Sequence, residues 1–314
     1  MTKIAFSDAI AGALIAFILS TAPAAALADR TWVSGKRADS GTCALEFPCN
    51  TFAFALTQTA AGGEIDVLDQ ADYGPVTITQ SVSIVNDGPG IAAIGISSGN
   101  AITINAGVND GVHLRGLTIA GTGGGINGIL LNTGAILAVE NCVVRGFERA
   151  GISISSTTSS SFSVSNTMAF NNRVAGIRVQ PAASVTVTGV LSNITANNGE
   201  TGIAVDGSQT TGGSLNVAIV DSEVSFNGAG VSAGIGFGPA AINVMVRNSV
   251  ASNNFSFGLV AGTNAILRIA HSVVKENETG VSTSGGGILN SYGDNDIGGN
   301  TTDNIGVLIP IVPH

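Results

Sequence analysis

Apolar and polar residues follow a repeating pattern along most of the chain. A glycine, an apolar residue, any residue and a second apolar residue recur as a short motif after about residue 75. Copies begin at Gly128, Gly151, Gly176, Gly202, Gly234 and Gly258, with a weaker copy at Gly280. These glycines are 23, 25, 26, 32, 24 and 22 residues apart. A period of roughly 20–50 residues is typical of repeat folds, so we interpret this region as a repeat array.

Within each repeat, apolar and polar positions alternate with a period of two, which predicts short β-strands. The alternating segments are Leu137-x-Val139-x-Asn141, Phe162-x-Val164-x-Asn166, Val185-x-Val187-x-Gly189, Val244-x-Val246-x-Asn248 and Leu267-x-Ile269-x-His271. Most of them end on Asn or Gly, which tolerate the left-handed backbone of a sharp bend. A third short strand follows, and a second asparagine is expected to end the coil at Asn172, Asn193, Asn227, Asn254 and Asn277.

Three short strands per repeat predict a solenoid in which each strand pairs with its equivalent one coil away, at ~4.8 Å. Inward positions then form columns of like residues. We expect one such column to hold Ile129, Ile152, Ile177, Ile203 and Ile235. The period predicts a parallel β-helix of roughly nine or ten coils.

The N-terminal part of this array resembles the first coil of a pectin-lyase-like right-handed β-helix. The resemblance rests on residues 51–56 (TFAFAL), 62–67 (GGEIDV), 73–78 (YGPVTI) and 82–84 (VSI), and it extends over about residues 47–300. It implies an all-β fold, a single-stranded right-handed parallel β-helix, with a short capping helix at about residues 51–60. The superfamily includes lyases, hydrolases and adhesins, so the resemblance indicates fold more strongly than function.

The ends of the chain predict three regions. Residues 1–28 are typical of a secretory signal, with Lys3, an apolar stretch over 11–20 and the sequence Ala26-Leu27-Ala28 before a cleavage site; a retained anchor is the alternative. Residues 29–62 form an N-terminal cap, and residues 63–314 form the β-helix. Because prolines interrupt the apolar residues 307–313, we expect that segment to plug or blunt the last coil. No later segment is apolar enough to span a membrane, so we expect a secreted or periplasmic protein.

Composition narrows the possible partners. Hydrophobic residues make up 44% of the 314, which excludes a disordered polyelectrolyte. The formal net charge is −9, with 12 Lys and Arg against 21 Asp and Glu, which argues against nucleic acid as a partner.

The three cysteines fit an exported protein. Cys43 and Cys49 lie in one loop-like segment and are predicted to form a disulfide in an oxidising compartment. A metal pair is the alternative, but no further His or Cys lies nearby in the sequence. Cys142 falls in a column with Thr167, Ser222, Ser249 and Ser272, so we expect a buried, inert thiol.

The resemblance implies two catalytic patterns. Polysaccharide lyases of this fold place a catalytic Arg or Lys beside a calcium-binding carboxylate cluster on one outer sheet. Hydrolases of this fold carry Asn-Thr-Asp, Asp-Asp, Gly-His-Gly and Arg-Ile-Lys in order. The sequence contains none of those four, since residues 111–113 read Gly-Val-His and residues 268–270 read Arg-Ile-Ala. We therefore assign no catalytic, cofactor-binding or metal-binding residue.

The predicted columns also separate the candidate acids and bases. Glu140 and Arg247 share a column, but Ser165, Thr188 and Val220 intervene, which places them ~19 Å apart. Glu223 is expected to be the lone carboxylate in a column of Val143, Met168, Leu191, Val250 and Val273. We interpret His113 as a surface ring and His271 as a turn residue.

One oxygen-rich run has two interpretations. Residues 294–300 (DNDIGGN), with Asp303 and Asn304, contain ligand types that calcium prefers. The run lacks the order of known calcium loops, and turn chemistry explains the same residues, so the sequence leaves calcium at Asp294 and Asp296 open.

Two surface features are relevant to a glycan partner. Arg145, Arg149, Arg173 and Arg178 come from adjacent repeats and could contact an acidic glycan, although scattered surface charge is the alternative. The polar loops 155–161 and 206–213 are predicted to project from single coils. Against a sugar-binding groove, Trp32, Tyr73 and Tyr292 all lie near the ends of the array.

These observations predict a secreted β-helix that acts without catalysis as a structural or surface-interaction module, with a polysaccharide or cell-surface glycan as its partner. The alternative is a polysaccharide lyase or glycoside hydrolase of the pectin-lyase-like fold. A flat ice-binding surface is a third hypothesis, but its threonines do not recur in columns. The sequence leaves the oligomeric state open.

Overall fold

The computed structural model describes residues 26–88, 90–234 and 238–312. They form the predicted right-handed parallel β-helix, a solenoid of about nine turns with one α-helix in the described part of the chain. The signal predicted for residues 1–28 lies almost entirely outside the described residues. In the described ranges, no helix is long and apolar enough to cross a membrane.

The elements are short, and the strands dominate. The helix α1 spans Phe52–Gln58. The strands are β1 (Ala28–Val33), β2 (Thr59–Val67), β3 (Ala71–Asp72), β4 (Val76–Ile78), β5 (Val82–Val85), β6 (Ala92–Ile96), β7 (Gly99–Asn105), β8 (Gly111–Arg115), β9 (Leu117–Gly121), β10 (Gly125–Thr133), β11 (Ile136–Glu140), β12 (Val143–Arg145), β13 (Ala150–Ile154), β14 (Ser160–Phe170), β15 (Ala175–Val179), β16 (Thr186–Asn197), β17 (Thr201–Val205), β18 (Ser214–Val220), β19 (Glu223–Ser225), β20 (Ala229–Ala233), β21 (Ala241–Arg247), β22 (Val250–Ser252), β23 (Phe257–Ala261), β24 (Ala265–Ala270), β25 (Val273–Lys275), β26 (Thr279–Thr283), β27 (Ile288–Ser291), β28 (Asp296–Ile297), β29 (Thr302–Ile305) and β30 (Leu308–Pro310).

Two sheets run along the solenoid. The ten-stranded sheet contains β4, β7, β10, β13, β15, β17, β20, β23, β26 and β29, in that order. The other twenty strands form one bent sheet, to which a typical coil contributes two strands separated by a turn. Strands pair in parallel with their equivalents one coil away, for example β13 with β15 and β15 with β17.

Inward columns confirm the stacking of like residues. Ile129, Ile152, Ile177 and Ile203 pair in succession and are fully buried. The next place in this column was predicted incorrectly. Ile203 pairs with Val231, whereas Ile235 lies outside the described residues. The glycine of that coil is therefore Gly230, which is 28 residues from both Gly202 and Gly258.

A second shift of four residues occurs in β16. Gly189 was predicted to occupy the turn, but it points inward, where the buried ring of Phe162 from the preceding coil takes the space that a side chain would need. The turn residue of this coil is Asn193, with a φ of 53°. Asn193 therefore belongs to the first turn of the coil and donates from Nδ2 to Asn166 Oδ1 at 2.7 Å. It does not end the coil with the second set of asparagines.

The second turn contains a buried ladder of asparagine side chains. Asn227, Asn254, Asn277 and Asn300 occupy the same place in four consecutive coils, and each of the last three accepts a backbone N–H from the previous coil at 2.9–3.0 Å. Asn254 Nδ2 also donates to Val224 O at 3.0 Å. The ladder satisfies backbone groups that the sharp turn removes from the sheet.

The two ends of the solenoid differ. Thr51 caps α1 by accepting from Phe54 N at 3.1 Å, and the buried Phe52 and Leu56 pack the helix against the first strands. At the other end, Leu308 is partly buried against the core. Strand β30 adds a rung to β27, and Val307 and Val312 are exposed. Proline is tolerated there because an edge strand needs fewer N–H donors.

We expect Asn254→Ala to lower the free energy of unfolding by about 1–3 kcal/mol, because it leaves buried backbone groups without partners. Asn243→Ala is the matched control, since Asn243 donates to Asn216 Oδ1 at 3.2 Å on the outer face of a strand. Chemical denaturation of both variants measures the difference. Equal losses of stability would contradict a special role for the buried ladder.

Candidate functional site

A groove runs across the outer face of the ten-stranded sheet. Two adjoining hollows of about 230 and 340 Å³ share Arg149, Ser155, Arg178 and Gln180 in their walls. We call this region the arginine groove. Ser153 pairs with Arg178 in the sheet register, so its floor comes from outward positions of adjacent coils.

Asp206 holds the two principal donors of the arginine groove. Its Oδ2 lies 3.3 Å from Arg178 Nη2 and accepts from Gln180 Nε2 at 2.6 Å. Its Oδ1 accepts from Ser208 N at 2.8 Å, which fixes the carboxylate in turn. Asp206 is 9% exposed, so these contacts lie where solvent screens them weakly. Gln180 Nε2 also donates to Ser208 Oγ at 3.2 Å, which uses its second N–H, so the free N–H groups of this unit belong to Arg178.

Arg149 supplies uncompensated charge at the opposite wall. It is exposed, and no carboxylate of the described ranges forms an ion pair with it. The loops predicted to project do border the groove. The first follows β13 and contributes Ser155, and the second follows β17 and contributes Gln209 and Asp206.

The other two arginines of the predicted patch lie elsewhere. Arg173 Nε is 3.1 Å from Glu148 Oε2, and its Nη1 is 3.5 Å from Glu200 Oε1. Arg145 belongs to the twenty-stranded sheet, where its guanidinium lies 6.0 Å from the centre of the Phe170 ring. Only Arg149 and Arg178 therefore meet in the groove.

The candidate acids and bases remain apart, although one intervening residue was predicted incorrectly. Between Glu140 and Arg247 the column holds Ser165, Ser192 and Val220, so Ser192 stands where Thr188 was expected. The number of steps is unchanged, and the separation stays at ~19 Å.

The column of Glu223 needs two corrections. Its neighbour is Thr195 rather than Leu191. Asp296 also lies in this column, three coils beyond Glu223, and Asp72 lies near the other end. Glu223 is thus not the lone carboxylate, but three steps keep it ~14 Å from Asp296.

His113 and His271, the histidines within the described residues, each lie near a carboxylate on the surface. His113 points outward, with Nε2 3.7 Å from Glu140 Oε2. His271 occupies a turn with a φ of 47°, and its Nδ1 lies 2.9 Å from Asp294 Oδ2. Neither histidine reaches the arginine groove.

The oxygen-rich run near the C-terminus is engaged in turn contacts. Asp294 Oδ1 accepts from His271 N, and Asn295 Oδ1 accepts from Ser272 N, both at 2.9 Å. Asp296 Oδ2 lies 2.6 Å from Lys275 Nζ. Across residues 26–88, 90–234 and 238–312, no three His, Cys, Asp or Glu side chains converge as metal ligands. The run forms the last rungs of the turn ladders.

The cysteines occupy two separate environments. Cys43 and Cys49 are joined by a disulfide, with Cα atoms 4.9 Å apart. Cys142 is free and 1% exposed. Burial raises the pKa of the Cys142 thiol to about 11, so the thiolate is scarce at neutral pH.

Thiol titration tests both cysteine environments. We expect no rapidly reactive thiol in the native protein, one after denaturation without reductant, and three after denaturation with reductant. A soluble aromatic disulfide reagent provides the measurement. Three reactive thiols without reductant would contradict the disulfide, and one in the native protein would contradict the inert Cys142.

The whole fold is similar to solved polysaccharide lyases. The chain is similar to pectate lyase Pel9A, with a TM-score of 0.61 and 15% identity over 87% of this chain and 79% of that one. It is similar to a rhamnogalacturonan lyase, with a TM-score of 0.60 and 14% identity over 81% and 82% of the two chains. An alginate lyase from Paenibacillus sp. strain FPU-7 gives a TM-score of 0.53 and 15% identity over 82% and 95%.

No family model and no curated protein sequence matches the chain. At these identities the solved structures show the fold alone, and they confirm the right-handed β-helix that the sequence resemblance implied.

Sequence reasoning identified Arg149 and Arg178 but missed Asp206 and Gln180. Asp206 appeared only as the first residue of a polar loop. Its role depends on its place one coil beyond Arg178 and Gln180, and both Gln180 and Asp206 lie just past the ends of β15 and β17, where the alternation no longer shows which way a side chain points.

Proposed function

We propose that the arginine groove binds an acidic polysaccharide through the carboxylates of its uronic acid residues. The observation that supports this most directly is the geometry at Asp206, which orients Arg178 and Gln180 while Arg149 stays unpaired. A guanidinium fork matches the two oxygens of a carboxylate, and charge-assisted hydrogen bonds are among the strongest polar contacts.

The charge distribution favours sparsely charged polymers over nucleic acid. The chain carries a formal net charge of −9, which opposes a dense row of phosphates. Within the groove, the described charges are two arginines and one buried aspartate. That local excess of positive charge suits a carboxylate on an extended chain. Export directed by residues 1–28 is part of the proposal, because such polymers lie outside the cytoplasm.

Cleavage of the bound polymer by β-elimination is the second candidate, and it is supported by the lyase names of the three solved structures with this fold. In that reaction a base removes the proton on the carbon beside the carboxylate. The bond from the neighbouring carbon to the glycosidic oxygen breaks, a carbon–carbon double bond forms, and the leaving oxygen takes up a proton. Arg149 and Arg178 would neutralise the carboxylate and stabilise the developing negative charge.

The identity of the base limits this second candidate. The described lining of the groove contains no Lys, His or Tyr, so an arginine would have to accept the proton, as the resemblance to lyases implies. Calcium does not fit the groove, because its donors are arginine, glutamine, serine and asparagine and its carboxylate is already paired.

We expect Arg149→Ala and Arg178→Ala each to weaken binding of an acidic polysaccharide by about tenfold to hundredfold, as loss of a hydrogen bond to a charged group would. Arg247→Ala is the matched control, because Arg247 is an exposed arginine on the twenty-stranded sheet. Calorimetry with a panel of polyuronates and neutral polysaccharides measures the affinities. Equal effects of all three variants would contradict the groove.

The same panel separates binding from catalysis. Unsaturated products, detected by ultraviolet absorbance, would establish β-elimination, and new reducing ends without unsaturation would establish hydrolysis. Binding without either product would support the surface-interaction module. Absence of binding to every acidic polysaccharide would overturn the proposal.

A further inference from the structure

Two phenylalanine side chains are exposed on consecutive coils of the second turn. Phe226 is 50% exposed and Phe255 is 75% exposed. Ser225 pairs with Ser252, so Phe226 lies level with Asn253, and Phe255 follows two residues later. Because coils are ~4.8 Å apart, the two residues lie on one stretch of the second turn, which we call the phenylalanine platform.

Phe226 adopts a backbone conformation that suits the asparagines at the same place in the adjacent coils better than it suits phenylalanine. Its φ is 57°, in the left-handed region. The equivalent residues of the adjacent coils are Asn198 and Asn253, with φ values of 58° and 55°. Asparagine tolerates this conformation, whereas it is strained for a bulky aromatic residue. The ring is half exposed, so packing offsets at most part of the strain, and strain of this kind is a mark of functional sites.

The platform lies along the same edge of the ten-stranded sheet as Arg149, further along the solenoid axis. Arg149 lies in the turn before β13, Phe226 in the turn before β20 and Phe255 in the turn before β23. Strands β13, β15, β17, β20 and β23 are consecutive in the ten-stranded sheet. Phe226 and Phe255 are therefore three and four coils beyond Arg149, at ~14 and ~19 Å along the axis. An extended polymer can reach both.

Charge around the platform differs from charge in the groove. Glu278 lies one coil beyond Phe255, Glu276 one coil beyond Asn253, and Glu200 one coil before Gly228; all three glutamates are exposed. Glu200 forms an ion pair with Arg173, whereas Glu276 and Glu278 have no cationic partner within the described residues, and these two carboxylates repel a uronic acid. Aromatic rings instead offer an apolar face to the C–H groups of a neutral sugar.

We propose that the phenylalanine platform binds a neutral sugar ring of the same polysaccharide whose carboxylates occupy the arginine groove. The ligand is then a polymer that contains both acidic and neutral sugars, rather than a homopolymer of uronic acid. This inference rests on the proposed function, and it adds the composition of the ligand and its direction along the axis.

Phe226→Asn provides the sharpest test, because it removes the ring and installs the residue of the neighbouring coils. We expect it to raise Tm by about 2–4 °C through relief of strain. It should also weaken binding of a mixed acidic and neutral polysaccharide by about three- to tenfold, through loss of aromatic contact. Phe255→Ser should weaken binding similarly. Binding of a homopolymeric polyuronate should stay within twofold for both variants.

Phe47→Ala is the matched control, because Phe47 is 71% exposed in the N-terminal loop, away from the platform. Titration calorimetry of each variant and of Arg178→Ala, with both polymers, completes the design. Weaker binding of both polymers by Arg178→Ala, with no effect of either phenylalanine variant, would overturn the platform and leave the proposed function standing. If the wild-type protein binds neither polymer, both proposals fail. A lower Tm for Phe226→Asn would show that the ring is structural and would also overturn the platform.

Discussion

Parallel pairing of each strand with its equivalent one coil away is the constraint on which the rest of this molecule depends. The pairing fixes the axial spacing at ~4.8 Å and stacks one residue of each coil on one residue of the next. Any side chain must therefore be compatible with one residue of the preceding coil and one residue of the following coil. Isoleucine on isoleucine, and asparagine on asparagine, meet this condition with both good packing and satisfied hydrogen bonds. A departure such as Phe162 is accommodated only because the next coil places Gly189 against it.

The same spacing determines how a site can be built. Side chains from adjacent coils touch directly, whereas those three or four coils apart need a longer ligand to connect them. Arg178 and Asp206 are 28 residues apart in the chain but lie on neighbouring coils, so they form one unit. Glu140 and Arg247 share a column without ever meeting. A β-helix therefore favours sites made from residues of two or three successive coils, and it suits ligands that extend along the axis.

The sequence was sufficient to predict the fold because inward positions repeat the same apolar types. It was not sufficient for the register of two coils. Both errors, at Gly189 and at Gly234, were shifts of four residues in coils next to a long loop. A shift by an even number leaves every residue on its original face, so the alternation of apolar and polar positions cannot detect it. The groove was missed for a different reason: the predicted copies at Gly176 and Gly202 already place Gln180 level with Asp206, but both residues lie just past their strands, where the alternation does not show that the side chains meet.

The coil register also changes which aromatic residues are candidates for sugar binding. Tryptophan and tyrosine, whose flat rings sugars usually stack on, lie near the ends of the solenoid. Once the columns are aligned, Phe226 stands out because asparagine occupies its place on both sides. Its exposure and its backbone strain come from the same position, so a purely structural role would leave both unexplained. Arginines lie at one end of this face, and glutamates lie around the phenylalanines at the other end. Charge is therefore distributed unequally along the solenoid axis. A polymer with unequally distributed charge can satisfy such a surface in one direction only.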